Sequence, residues 1–103
     1  VMKIYKQRRD VFCDLFTEKL ATFFEFEKPK GGMAIWATLN KKYSWKQVVD
    51  EAVKNRLEIG DFNRYDIMRT NHNAIRIGFA SYTLDEIHEL IYRFEQTMCS
   101  LKN

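Results

Sequence analysis

Proline and glycine are scarce in this 103-residue chain, with one proline and four glycines. So few breakers exclude a collagen-like or low-complexity polypeptide and leave room for long regular elements. Imidazoles are almost as rare, and a nucleophile–base constellation needs one beside Ser or Cys, with an acid to orient it. His72 has no His, Cys or carboxylate at ligand spacing and reads as a loop side chain. His88, between Ile87 and Glu89, falls on the exposed side of a helical stripe. No catalytic triad, paired-carboxylate site or metal site is implied. The two cysteines, Cys13 and Cys99, lie near opposite ends without CxxC spacing. Reduced thiols are expected, with a disulfide between packed terminal helices as the lesser alternative. A glycine-rich phosphate loop is also missing, because Gly31-Gly32 follows a turn and precedes a strand rather than a helix. Polar residues interrupt every apolar run before membrane-spanning length, and no signal peptide opens the chain. The expected location is cytoplasmic, away from any membrane. A net charge of +3 with scattered Lys and Arg gives no basic stripe for nucleic acid.

What is present is a globular composition. Hydrophobic residues make up 46% of the chain, and eight Phe, five Tyr and two Trp supply bulk. This is one domain at most, able to bury roughly 65% of its unfolded surface. It begins at Val1 without an initiator methionine and enters a helical pattern at once, as expected of an excised piece of a longer protein, with N-terminal processing as the lesser alternative.

From Met2 to about Thr22 the residues Tyr5, Phe12, Leu15, Phe16 and Leu20 follow helical spacing. The charged stretch Tyr5 to Asp10 reads as a solvated face, with an anion site as the minor alternative. Phe24 and Phe26 alternate with Glu25 and Glu27 as in a half-buried strand, broken at Lys28-Pro29-Lys30-Gly31-Gly32. Met33 to Leu39 is apolar on both faces and reads as a central strand. Ser44 and Gln47 form a capping box ahead of a helix to about Asn55, with Val48, Val49, Ala52 and Val53 as its buried stripe. Leu57-Glu58-Ile59 is expected as a short strand and 61–73 as an irregular loop. A strand over 74–80 follows. Thr83 and Glu86 then cap a helix whose core stripe is Leu84, Ile87, Ile91, Phe94, Met98 and Leu101. The order α-β-β-α-β-β-α describes an α+β two-layer sandwich, a small and mainly antiparallel sheet with helices packed on it.

One residue does not fit a purely structural pattern. In Ala74-Ile75-Arg76-Ile77-Gly78-Phe79-Ala80, alternation puts Ile75, Ile77 and Phe79 on a core face. Arg76 shares the other face with Ala74, Gly78 and Ala80. A small-residue face lets a ligand or another backbone approach, and the guanidinium fork matches a carboxylate or phosphate. Three alternatives stand at this point: ligand recognition, a structural pair with a nearby Asp or Glu, or burial under a second domain.

Three segments taken together carry a resemblance. Lys28-Pro29-Lys30-Gly31-Gly32-Met33-Ala34-Ile35-Trp36, then Ile59-Gly60-Asp61-Phe62, then Asn73 through Ala80 resemble the C-terminal small domain of fold type I pyridoxal-phosphate aminotransferases. The helix start Tyr5 to Asp10 and Thr83-Leu84-Asp85-Glu86 also match, so nearly the whole chain is covered. The wording is most similar to MocR-type regulators, which join a GntR-like winged helix-turn-helix domain to an aminotransferase-like domain. A free-standing aminotransferase of the aminoadipate or aromatic type reads much the same. An independent α+β module for ligand binding or association is the alternative outside the family.

The resemblance implies that Arg76 holds the α-carboxylate of an amino acid substrate or effector. It implies pyridoxal phosphate in a full-length homodimeric parent, with DNA contacted only through an absent N-terminal domain. The Schiff-base lysine, the phosphate cup and the aspartate at the pyridine nitrogen belong to the family's large domain. None of this chain's ten lysines sits in a matching motif. The piece alone, residues 1–103, is therefore expected to be catalytically silent and not to bind the cofactor. Gly60-Asp61 stands where the family commonly has Pro-Gly, a departure that bears on the loop that follows.

Overall fold

In the computed structural model, residues 2–29, 31–57, 59, 67–69 and 73–102 are described. Helix α1 spans Met2–Leu20, strand β1 Phe24–Phe26, β2 Ala34–Leu39, helix α2 Trp45–Lys54, β3 Ile67–Arg69, β4 Ala74–Gly78, and helix α3 Leu84–Ser100. The four strands pair antiparallel in the order β1-β2-β4-β3. This is the expected α+β two-layer sandwich, with β2 and β4 central.

Periodicity explains the layers. On α1, Phe12, Phe16 and Leu20 are fully buried, as is Phe94 on α3. These side chains meet the inward residues of the strands: Phe24, Ile35, Ala37, Leu39, Ile67, Ile75 and Ile77. Phe16 lies at the aromatic centre, with ring centroids 5.8 Å from Phe12, 5.7 Å from Phe24 and 4.9 Å from Phe26. Helix α3 packs against both α1 and α2. All the apolar stripes therefore converge on one face of the sheet.

Both expected capping boxes are present. The Ser44 hydroxyl accepts from the Gln47 N–H, and the Thr83 hydroxyl from the Glu86 N–H, each with the reciprocal bond. Several details differ from the sequence reading. Val53 is 62% exposed and Val49 only partly buried, and Trp45 takes the core position instead. Met33, read as the first residue of the central strand, is 66% exposed, and β2 starts one residue later.

Leu57 and Ile59 are not in a strand, and Glu58 lies outside the described residues. The reason is local. Arg56 adopts a left-handed φ of 57°, the Leu57 N–H donates to the Ala52 carbonyl (2.9 Å), and the Arg56 N–H donates to the Val53 carbonyl (3.1 Å). That pair of bonds is a Schellman ending, so the donors are spent closing α2. The third strand is instead Ile67–Arg69, inside the stretch read as a loop. Residues 61–66 and 70–72 of that loop, His72 among them, and the Gly60-Asp61 departure fall outside the described residues, while Asn73 forms the turn into β4.

Cys13 is buried and Cys99 exposed, both as free thiols. Among the described residues no helix is long and apolar enough to cross a membrane. No group of three or more His, Cys, Asp or Glu among them is arranged to hold a metal.

Candidate functional site on the helix-free sheet face

Because Ile75 and Ile77 point into the helix layer, Arg76 projects from the opposite face of β4, which no described helix covers. It is half-buried there, flanked along the strand by Ala74 and Gly78. Its register partners are Trp36 on β2 and Met68 on β3.

The β2–β4 register fixes how close these side chains stand. Just beyond one end of the ladder the Phe79 N–H donates to the Met33 carbonyl (3.0 Å). Beyond the other end the Leu39 N–H donates to the Asn73 carbonyl (2.9 Å). Asn73, at a left-handed φ of 61°, adds a side-chain bond to the Leu39 carbonyl at 2.9 Å. Residues bonded directly across the ladder thus carry odd numbers. Trp36 and Arg76 form a non-hydrogen-bonded pair, the type whose side chains approach most closely.

Trp36 is 59% exposed and borders a hollow of about 700 Å³ on the β1 side. Glu25, Glu27, Lys28, Pro29 and Thr38 help line it, and Arg76 does not. The indole therefore stands between the hollow and the guanidinium. Lys28 is occupied, since its Nζ lies 2.8 Å from Asp10 Oδ1 while Arg9 Nε lies 3.3 Å from the same oxygen. The Lys28 hydrogen bond holds the Asp10 carboxyl below its ordinary range, and Asp10 in turn raises the Lys28 ammonium.

In the stretch Tyr5 to Asp10, Lys6 and Gln7 form the expected solvated face, but Tyr5, Arg8, Arg9 and Asp10 are partly buried. The Tyr5 hydroxyl donates to the Gly32 carbonyl, and Arg8 Nη1 donates to the Ala80 carbonyl at 2.7 Å. Tyr5 also lies beside Phe79, at 5.9 Å between centroids, and under the Arg9 guanidinium, at 5.9 Å. These groups are spent tying α1 to the strand ends. His88 is exposed on α3, as its position in the stripe implied.

Among the described residues, the lysine that borders the hollow does not suit the Schiff base of pyridoxal phosphate. A Schiff-base lysine must shed its proton near neutral pH. Lys28, which borders the hollow, is shifted the other way by Asp10. Lys19, Lys46 and Lys54 lie in surface ion pairs with Glu18, Asp50 and Glu51.

Trp36 is the site residue that sequence reasoning passed over. It was read as one side of a central strand, and only the cross-strand register brings it beside Arg76.

No protein-family model matches the chain. Over 98 residues it is 28% identical to aromatic-amino-acid aminotransferase 1 of Thermococcus litoralis, covering 95% of this chain and 24% of that protein. Kynurenine aminotransferase of Pyrococcus horikoshii, solved in complex with PMP, superposes with a TM-score of 0.75 at 26% identity, over 98% of this chain and 25% of that one. An α-aminoadipate aminotransferase of Thermus thermophilus, holding N-(5'-phosphopyridoxyl)-L-leucine, gives 0.76 at 17% identity, over 96% and 25%. The chain spans about a quarter of the length of the aminotransferases it matches. It matches the C-terminal region of fold type I aminotransferases, and its sandwich is similar to their small domains.

Proposed function

We propose that this chain is the small domain of a pyridoxal-phosphate-dependent aminotransferase-like protein, in which Arg76 grips the α-carboxylate of an amino acid. The observation that carries the reading is a guanidinium on the sheet face that no described helix covers, in a segment whose relatives are aminotransferases. A planar fork can donate two parallel bonds to a carboxylate, each worth about 1.5–3 kcal/mol as a charge-assisted contact. Fixing the carboxylate orients the rest of the amino acid, and that positional contribution is the domain's share of the chemistry. The cofactor, the groups that hold it and any dimer contacts would come from the rest of the parent, consistent with the misfit of the lysines described above.

The finer assignment separates a MocR-type regulator from a free-standing enzyme. The relatives named above carry enzyme names, which favours the enzyme. Transamination by the purified parent without operator binding is expected. DNA binding without transamination would reverse the choice.

Arg76→Lys in the parent keeps the charge and loses the fork, and should weaken amino acid binding roughly ten- to a hundredfold. Unchanged affinity in a folded variant would refute the role of Arg76.

A further inference from the structure

We infer that Trp36 selects the ligand's side chain: it is the platform on which a neutral, flat, preferably aromatic group lies while Arg76 holds the carboxylate. The inference rests on the carboxylate role proposed for Arg76 and goes beyond it.

Four observations lead to it. Trp36 and Arg76 are a non-hydrogen-bonded cross-strand pair, so a ligand anchored on one meets the other. The indole is 59% exposed, and on its face the short residues Ala34, Ala74 and Gly78 stand beside it together with Thr38 and Arg76. Beyond the indole lies open space, the hollow of about 700 Å³ toward β1. Two strand spacings, about 9–10 Å, separate β4 from β1, enough for an acid of phenylalanine size to reach from Arg76 across Trp36.

Charge narrows the class further. The exposed carboxylates of Glu25 and Glu27 border the far end of the hollow, and its lysine is held by Asp10 at 2.8 Å. A second carboxylate on the ligand would meet two like charges there. Dicarboxylates are therefore disfavoured. A flat apolar group gains offset or edge-to-face stacking on the indole.

The test uses the 103-residue chain itself, titrated by NMR with 3-phenylpropionate, propionate and glutarate. The Trp36 indole N–H and the Arg76 Nε–H are the reporters. Binding is expected to be weak, with 3-phenylpropionate moving both resonances and binding tighter than propionate. Trp36→Leu should weaken 3-phenylpropionate about three- to tenfold and leave propionate within about twofold. Glutarate should bind no better than propionate, and Glu25→Gln with Glu27→Gln should improve it selectively. An unchanged Trp45 indole signal verifies that the variants stay folded, because Trp45 is in the core.

Equal losses for the aromatic and aliphatic acids, a glutarate preference, or no shift with any acid would overturn the inference. So would a Trp36 signal that moves with protein concentration alone, which would mean that a second copy covers the indole. If Arg76→Lys leaves all three acids unaffected, the carboxylate reading itself fails. Dependence on Arg76 without dependence on Trp36 removes only the present inference.

Discussion

Tyr5 and Arg8 are one helical turn apart on α1, and each reaches a main-chain carbonyl far away in sequence. Nothing local advertises this. The helix pattern of Tyr5 to Asp10 was legible, but acceptors 27 and 72 residues away leave no mark on it. The charges therefore read as solvent-facing. Arg8→Met should cost about 1–3 kcal/mol in urea unfolding, because the Ala80 carbonyl loses a charged donor. Arg8→Lys should recover part of that loss. The two thiols differ as sharply. Burial pushes the Cys13 thiol up to about 11 from an ordinary value of 9.0, leaving almost no thiolate at neutral pH. Cys99 should react with a thiol reagent in the native protein, and Cys13 only on unfolding. Because the thiol pKa is higher in the folded state, folding takes up protons between those two values. The Cys13 contribution to stability should therefore be intact below about pH 9 and be lost as pH rises toward about 11. The Tm of Cys13→Ala should lack that part of the alkaline decline.

Among the elements, the helices and the central strands were readable because their signals are local. Ser44 with Gln47 and Thr83 with Glu86 state where α2 and α3 begin. Thr83→Ala should cost about 1 kcal/mol by chemical denaturation, the usual loss for an N-cap. The end of α2 was misread because Leu57 and Ile59 look like strand residues. What decides their fate is the left-handed turn at Arg56, an unusual place for a side chain with a Cβ. Arg56→Gly should relieve it and stabilise the fold by up to about 1 kcal/mol, measured as a shift in the urea midpoint. The third strand, Ile67–Arg69, is three residues long, too short to show a period. Its place depends on pairing with β4 rather than on anything in its own composition.

At the scale of the whole molecule, one apolar layer holds the sandwich together, and no described helix lies on the other sheet face, which carries the candidate site. Phe16 is fully buried among three other rings, so Phe16→Ala should cost about 3–5 kcal/mol. That is a large share of the stability of a domain this size, and circular dichroism should find the variant largely unfolded at moderate temperature. Arg76 was legible as a candidate because alternation is a one-strand property. Its neighbourhood was not, since neither the sheet order nor the meeting with Trp36 is written in any single segment. The tether at α1 bears on that arrangement. Gly32 and Ala80 face each other one step past the bonded pair Met33–Phe79, so the helix grips both rails at the same rung. Sliding either rail by one residue, about 3.3 Å, would pull a carbonyl out of its grip. The same slide would turn every outward side chain inward. Helix α1 thus serves as a gauge block that keeps the arginine from ever being threaded toward the oil.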